Sequence, residues 1–175
     1  IGVPLSVWNM NSAHTLGIFE AGISLPGEME LLQRIIDPEI GVFTYIGEAH
    51  SEGFKDIYEK ITEKLQLFID SNVIIYCADE EPLHESIITF KQTTKKNIRL
   101  FNWSRKGQAD LFVSKIEKHS SGATIFCRYL QEEFNFIIPF TDDASIHNAI
   151  TCCCVLLYMN IHIASIAANI SQLRP

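Results

Sequence analysis

The chain has 175 residues, of which 47% are hydrophobic and 20% charged, a composition typical of one globular domain and not of a disordered segment. Its formal net charge of -7 at pH 7 argues against a nucleic-acid partner, because phosphate binding depends on clustered lysine and arginine side chains. Five cysteines, three of them consecutive at 152–154, fit neither a zinc nor a disulfide spacing, which favours reduced thiols in a cytoplasmic protein.

The first part of the chain alternates strand-like and helix-like segments. Residues 14–23 form an apolar run that predicts a buried strand ended by a turn with proline and glycine. Helical spacing of leucine and isoleucine predicts a helix from about residue 27 to residue 37. A second apolar strand over 40–46 completes one strand–helix–strand unit.

The alternation continues through residue 103. One apolar face predicts an amphipathic helix over 54–69, and residues 72–77 (NVIIYC) predict a third buried strand. A helix over 84–93 and a fourth strand over 98–103 follow. Strands and helices that alternate at this spacing predict an α/β fold with a mostly parallel sheet flanked by helices.

The pattern changes between residues 109 and 140. Three strand-like runs follow one another there, ADLFVSKIEKH, ATIFCRYL and EFNFIIPF, with short polar links between them. Such runs predict antiparallel hairpins, and thus a small antiparallel section within the same domain.

Two helices are predicted after the hairpins, over about 145–158 and 160–169. The apolar stretch from 149 to 170 is interrupted by Asn160, His162 and Asn169. A membrane span needs about 20 nearly unbroken apolar residues, so we predict core helices and no membrane span.

Two side chains of possible chemical importance follow the first two predicted strands. Glu20 is the only charged residue between His14 and Glu28, and a buried carboxylate is costly unless it is paired or holds a cation. His50 follows the second predicted strand, so both side chains would emerge at the carboxyl edge of the sheet, where ligands bind in open α/β folds. Two plainer interpretations stay open: Glu20 could hydrogen-bond a turn, and His50 could be an ordinary loop histidine.

Two further positions are candidates. Lys64 lies 14 residues beyond His50 on the predicted helix, where a solvated lysine is the ordinary interpretation. Asn148 opens the helix after the hairpins and could cap it, as could the pair Asp142 and Asp143.

Several segments in order carry a resemblance to a known family. IGVPLSVWNM, GIFEAGISLPGEME, IGVFTYIGEAHSEGF, ITEKLQLF and FTDDASIHNAI resemble the central, P-loop-type domain of the Mur ligases, over essentially all 175 residues. The resemblance is strongest to the branch that adds D-alanyl-D-alanine to UDP-N-acetylmuramoyl-tripeptide. GEAHSEGF and FTDDASI also resemble the version fused to an alanine racemase, whose pyridoxal phosphate would lie outside this chain.

The resemblance implies roles for four residues. Glu20 and His50 match the positions that hold the magnesium ions around ATP in this family. Lys64 matches a lysine whose carbamylated side chain supports the second magnesium. Asn148 matches an asparagine that contacts adenine.

The sequence departs from the family pattern at three points. Tyr45 stands where the family usually has an asparagine near the substrate pocket, and Ser145 stands where many relatives have a second asparagine. No GxxGKT phosphate loop occurs in the 175 residues. The resemblance places that loop upstream of Ile1, and the nucleotide-sugar-binding and C-terminal domains also outside residues 1–175, so the chain is expected to be a partial central domain.

The resemblance implies an ATP-dependent amide ligase. In the intact enzyme, ATP phosphorylates the terminal carboxylate of the tripeptide, and the amine of D-alanyl-D-alanine then attacks the acyl phosphate, with no covalent protein nucleophile. We expect residues 1–175 alone to be inactive without the phosphate loop. Two alternatives stay open: a ligase like folylpolyglutamate synthase, and a scaffold domain that keeps the fold without catalysis.

Overall fold

The computed structural model describes residues 2–46 and 53–174, which form six helices and six strands. The helices are α1 (Gly2–Trp8), α2 (Glu28–Ile36), α3 (Ile57–Leu65), α4 (Glu81–Thr93), α5 (Asp143–Tyr158) and α6 (Ile163–Ile170). The strands are β1 (Ile40–Val42), β2 (Val73–Cys77), β3 (Arg99–Ser104), β4 (Leu111–His119), β5 (Gly122–Tyr129) and β6 (Glu132–Ile138). A 3-10 turn, Gln66–Phe68, extends α3.

All six strands belong to one sheet in the order β1-β2-β3-β4-β5-β6. Asn72 N donates to Glu39 O and Phe43 N donates to Ile75 O, so residue numbers rise together along β1 and β2, as in a parallel pair. The predicted α/β class, with a mostly parallel sheet flanked by helices and a small antiparallel section, is confirmed.

β3 and β4 are parallel although only six residues join them. The pairs are Trp103 with Leu111 and Ser104 with Phe112, so the end of β3 lies beside the start of β4. β4 therefore begins beside the end of β3 and continues in the same direction. Because only the strand ends pair, the long crossover of a full parallel pair is not needed.

The antiparallel section consists of two hairpins, β4–β5 and β5–β6. The register shifts between Val113 and Lys115, where Ser114 is an extra residue on β4 opposite Cys127 and Phe126. Its hydroxyl donates to Phe126 O at 3.2 Å. A bulge of this kind bends a strand and redirects side chains beside it.

The chain divides into two compact units. The first takes in residues 2–41, 53–73 and Glu85–Ile98, and the second takes in Val42–Ile46, Ile74–His84 and residues 99–174. Met29, Ile61 and Leu65 are each 1% exposed and lie in the core of the first unit. The core of the second unit contains residues 74–77 of β2, all of them buried, and the inward faces of β3–β6, α5 and α6.

The predicted strand at 14–23 is wrong. Residues 14–23 form no strand, and Glu20 is exposed. A strand needs a neighbour that satisfies its backbone groups, and the six described strands pair with one another without this segment. The helix α1 was not predicted, and none of the helices in residues 2–46 and 53–174 has the length and hydropathy of a membrane span.

Several boundaries differ from prediction for local reasons. α3 begins at Ile57, three residues later than predicted, because Asp56 is its N-cap and its side chain accepts from Glu59 N at 2.8 Å. α4 begins at Glu81, earlier than predicted, and β1 is shorter than the apolar run that suggested it.

Candidate functional site

An open cleft of about 1060 Å³ lies in the second unit. The ends of β2 and β3 with the residues that follow them, one side of β4 and the first turns of α5 form its wall. Its lining residues include Tyr45, Cys77, Asp79, Glu80, Trp103, Arg105, Lys106, Val113, Ser114, Ala144 and His147. The cleft thus lies outside the carboxyl ends of two neighbouring strands, which is where open α/β sheets bind ligands.

One wall of the cleft is aromatic. The His147 ring lies edge-on to the Trp103 ring, with centroids 4.8 Å apart, and to the Tyr45 ring at 5.9 Å. Trp103 Nε1 donates to Thr151 Oγ1 at 3.0 Å, and the Thr151 hydroxyl donates to His147 O at 3.0 Å. These bonds fix the indole against α5, so the aromatic wall has a defined geometry.

The loops after β2 and β3 are joined by hydrogen bonds. Asp79 accepts from Ser104 Oγ at 2.5 Å and from Arg105 N at 2.8 Å. Ser104 Oγ in turn accepts from Lys106 N and Gly107 N, each at 2.9 Å. The Asp79 carboxylate therefore organises the loop that presents Arg105 and Lys106 at the cleft.

Cys77, Glu80 and His147 meet on the wall of this cleft. One potential ligand atom from each lies within 4.8 Å of the other two, and His147 Nε2 is 3.2 Å from Glu80 Oε1. Despite that short distance, neither ring nitrogen of His147 has a hydrogen bond of acceptable angle with a described residue. We interpret the pair as a close approach of two groups and not as a formed hydrogen bond.

The Cys77 thiol is held in its neutral form. Burial raises its pKa to about 12, and this effect outweighs the hydrogen bonds from the backbone N–H groups of Asp79 and Glu80, which lower it. The sulfur is thus an inert buried thiol unless a cation stabilises the thiolate. A thiol, a carboxylate and an imidazole together could hold a divalent metal.

The structure describes three of the four predicted site residues. Glu20 is exposed in an irregular part of the first unit, and His50 lies outside the described residues. Lys64 lies in the last turn of α3, in the first unit. Asn148 is exposed on α5, in the second unit.

Lys64 has an unusual environment for a lysine. It is only partly exposed, and burial lowers the pKa of its amine, with a further lowering by the positive charge of Lys60. Lys60 is itself only 4% exposed and lies one turn earlier on α3. Two ammonium groups are therefore placed in a part of the first unit that water reaches poorly.

Asn148 does not cap α5. The cap is Asp142, whose Oδ1 accepts from Ser145 N at 2.8 Å, and these bonds with Ser145 lower the pKa of its carboxyl. The suggestion that an aspartate caps this helix is confirmed, and the suggestion that Asn148 does so is wrong. The neighbours Ala144 and His147 line the cleft.

Sequence reasoning missed Cys77, Glu80 and His147. Two signals were present: Cys77 ends the buried strand NVIIYC, and Glu80 follows it by three residues, at the strand end where ligands bind. The sequence does not show that α5 places His147 beside Cys77 and Glu80, because a contact between distant segments depends on tertiary packing.

Comparisons with known proteins agree on one family. Residues 1–156 match the Mur ligase middle domain. A protein of Buchnera aphidicola subsp. Baizongia pistaciae named UDP-N-acetylmuramoyl-tripeptide–D-alanyl-D-alanine ligase is 26% identical over 179 aligned positions, which cover 99% of this chain and 37% of the relative. The chain thus spans little more than a third of that relative's length.

Solved structures show the same fold. A crystal structure of MurF from Acinetobacter baumannii superposes with a TM-score of 0.86 at 19% identity, covering 99% of this chain and 38% of the other. The MurF ligase from Thermotoga maritima, solved in complex with ADP, has a TM-score of 0.71 at 15% identity over 87% of this chain and 34% of its own.

Proposed function

The chain belongs to the Mur ligase family, whose middle domain it matches over residues 1–156, and on this premise we propose that it is part of an ATP-dependent ligase that adds D-alanyl-D-alanine to UDP-N-acetylmuramoyl-tripeptide. The observation that carries the proposal is a relative named for that reaction that aligns along 99% of the chain. The product would be a precursor of peptidoglycan, used in cell-wall synthesis.

The proposed reaction has two chemical steps. ATP transfers its γ-phosphoryl group to the terminal carboxylate of the tripeptide, and the amine of D-alanyl-D-alanine then attacks the acyl phosphate and releases inorganic phosphate. Catalysis of this kind rests on positioning and on neutralising charge, so no side chain of this protein needs to form a covalent intermediate.

We assign Asn148 to the adenine and Glu20, His50 and Lys64 to magnesium. Asn148 is exposed on α5, one residue beyond a histidine of the cleft wall, so its amide is available to a base edge. Magnesium would supply positive charge to the phosphate oxygens. The exposed carboxylate of Glu20 is available for that role, and His50 is assigned on its sequence match alone.

The neighbourhood of Lys64 favours carbamylation. Carbon dioxide reacts with a neutral amine, and the lowered pKa of Lys64 raises the neutral fraction. Conversion of the ammonium to a carbamate also replaces repulsion from the nearby Lys60 charge by attraction. A carbamate offers oxygen ligands, which magnesium prefers, whereas an ammonium offers none.

The phosphate loop would come from residues upstream of this chain. No Gly-rich loop followed by Lys and Ser or Thr occurs among the 175 residues, and the chain spans 37% of its Buchnera relative. We therefore propose that residues 1–175 alone do not catalyse ligation. Alanine racemase fusion, with its pyridoxal phosphate, stays a prediction about residues outside the chain.

The cytoplasm is the proposed location. All five cysteines are free, and Cys127, Cys153 and Cys154 are buried apolar residues. Free thiols in this number are typical of a reducing compartment.

A scaffold domain without catalysis is the second candidate. Two observations favour it: Glu20 lies in no strand, and Ser145 stands where the resemblance implies a second asparagine. A ligase like folylpolyglutamate synthase is supported by fold alone, since a solved L. casei FPGS structure has a TM-score of 0.68 at 13% identity.

A phosphate-release assay distinguishes these candidates. The longer protein that contains this chain is incubated with ATP, Mg²⁺, UDP-N-acetylmuramoyl-tripeptide and D-alanyl-D-alanine. We expect phosphate release that requires both substrates and is lost when L-alanyl-L-alanine replaces the D,D-dipeptide. Release that depends on a folate and glutamate would support the folate alternative, and no release with either pair would support the scaffold.

A further inference from the structure

We propose that Cys77, Glu80 and His147 form a binding site for a thiophilic divalent metal ion, with Zn²⁺ as the best-fitting ion. The site lies in the second unit, and none of its residues belongs to the magnesium assignments of the proposed ligase. It therefore goes beyond the proposed function.

The ligand geometry is close to that of a bound ion. The Cys77 sulfur, a Glu80 oxygen and a His147 nitrogen all lie within 4.8 Å of one another. In a tetrahedral zinc site, bonds of about 2.0 Å to nitrogen and oxygen place those two atoms a little over 3 Å apart. The distance of 3.2 Å between His147 Nε2 and Glu80 Oε1 already meets this requirement.

The imidazole of His147 lacks the partners that buried polar groups normally have. Both of its ring nitrogens are inaccessible to water and have no hydrogen bond with any residue in the described part of the chain. Buried polar atoms without partners are rare and call for a physical explanation. A metal ion bonded to Nε2 supplies one for that nitrogen, because it replaces the missing hydrogen bond by a coordinate bond.

The turn after β2 is shaped to support a thiolate. Asp79 and Glu80 lie two and three residues beyond Cys77, and hydrogen bonds from their backbone N–H groups favour negative charge on its sulfur. Asp79 is itself held by Ser104 and Arg105, which keeps the turn in place. On binding, the thiol proton leaves to solvent and the sulfur donates its electron pair to the metal.

The choice of ligands selects the class of metal. Magnesium and calcium prefer oxygen ligands, whereas thiolate and imidazole favour zinc and other late first-row ions. Three protein ligands leave a fourth position open, and all three residues line the cleft, so that position faces its interior. The site could therefore accept a water molecule or a further ligand there.

Cobalt absorption tests the site directly. Co²⁺ is added to the 175-residue chain alone, and Zn²⁺ is then used to displace it. We expect one equivalent of Co²⁺ to give the ligand-to-metal charge-transfer band of a thiolate and the intense visible bands of tetrahedral coordination. Zn²⁺ should abolish both.

Matched variants identify the ligands. Cys77→Ser should remove the charge-transfer band, whereas Cys152→Ser should retain it, because Cys152 is an exposed thiol on the same protein. His147→Gln keeps every cysteine and should weaken Co²⁺ binding at least roughly tenfold. Circular dichroism verifies that each variant is folded.

Two results would overturn the proposal. One is a charge-transfer band that survives Cys77→Ser or disappears in Cys152→Ser, which would assign the metal to a surface thiol. The other is the absence of tetrahedral Co²⁺ bands in the folded chain. Because no nucleotide or ligase substrate is present, neither result bears on the proposed ligase reaction.

Discussion

Lys64 shows how the neighbours of one residue change its chemistry. A lysine on an amphipathic helix is ordinarily solvated, but Lys64 is partly buried and close to the Lys60 charge. Both effects lower its pKa and so increase the fraction of neutral amine at a given pH. The sequence match indicated the position, whereas the physical basis for a reactive amine appears only in the structure.

Carbamylation of Lys64 is testable by carbon-13 NMR. In buffer containing labelled bicarbonate, we expect a carbamate signal that Lys64→Arg removes and that Lys95→Arg, an exposed control in the same unit, retains. In a longer protein with the proposed ligase activity, Lys64→Arg should lower turnover on the order of 100-fold, as for the loss of one charge-stabilising group. A carbamate signal unchanged in Lys64→Arg would contradict this assignment.

The hydrogen bond between Trp103 and Thr151 is a second residue-scale test. Both side chains are 3% exposed, so Thr151→Val leaves the indole N–H buried without its acceptor. We expect the free energy of unfolding to fall by about 1–3 kcal/mol, measured by urea denaturation. Thr151→Ser keeps the hydroxyl and should lose less; equal losses in the two variants would show that the hydrogen bond contributes nothing.

The capping carboxylate of Asp142 should make the free energy of unfolding depend on pH. Its folded pKa is lowered by hydrogen bonds from Ser145, so its contribution is complete above the unfolded value near 3.8 and is lost as the pH falls through the lower folded value. Urea denaturation followed from neutral pH to below 3.8 should show a shallower acid loss in Asp142→Asn, which keeps a capping oxygen. An equal loss of stability at low pH in both proteins would contradict a contribution of the Asp142 carboxylate.

At the scale of elements, the sequence predicted helices and central strands better than it predicted the first segment. NVIIYC became β2 because a run that is apolar throughout suits a strand buried on both faces. The run at 14–23 is equally apolar but forms no strand, since apolar character does not supply a pairing neighbour. Apolar character thus indicated which segments could form strands, and the presence of a neighbouring strand determined which of them did.

The close approach of β5 to β6 depends on Gly122, the first residue of β5. A Cβ at Gly122 would lie 2.2 Å from Ile138 O on β6, so the backbone of one strand would have to move. We expect Gly122→Ala to lower the free energy of unfolding by about 1–3 kcal/mol. Gly107→Ala is the matched control, because nothing lies within 4 Å of its Cβ position. A loss of the same size in both variants would contradict the steric explanation.

At the scale of the whole molecule, the alternation of strands and helices predicted the α/β class, and the short runs at 109–140 predicted the antiparallel section. The metal-ligand cluster was not predictable in the same way. Cys77 and Glu80 are close in sequence, but His147 reaches them only through the packing of α5 beside β3. Periodicity reports which face of an element is buried and carries no information about which distant element covers it.

The chain matches the Mur ligase middle domain over residues 1–156 but spans little more than a third of its Buchnera relative's length. If these residues are part of a ligase, nucleotide binding should depend on the phosphate loop that we propose lies upstream of residue 1. A domain with no backbone cradle for phosphate retains contacts to the base alone, which are weaker than contacts to a triphosphate with its metal.

Calorimetric titration of Mg-ATP into the 175-residue chain, and into a longer protein that adds the proposed upstream phosphate loop, separates the ligase from the scaffold. We predict stoichiometric binding by the longer protein and none measurable by the chain alone. No measurable binding of Mg-ATP by either protein would contradict the ligase assignment and favour the scaffold. Equal binding by both would contradict the proposed dependence on the phosphate loop.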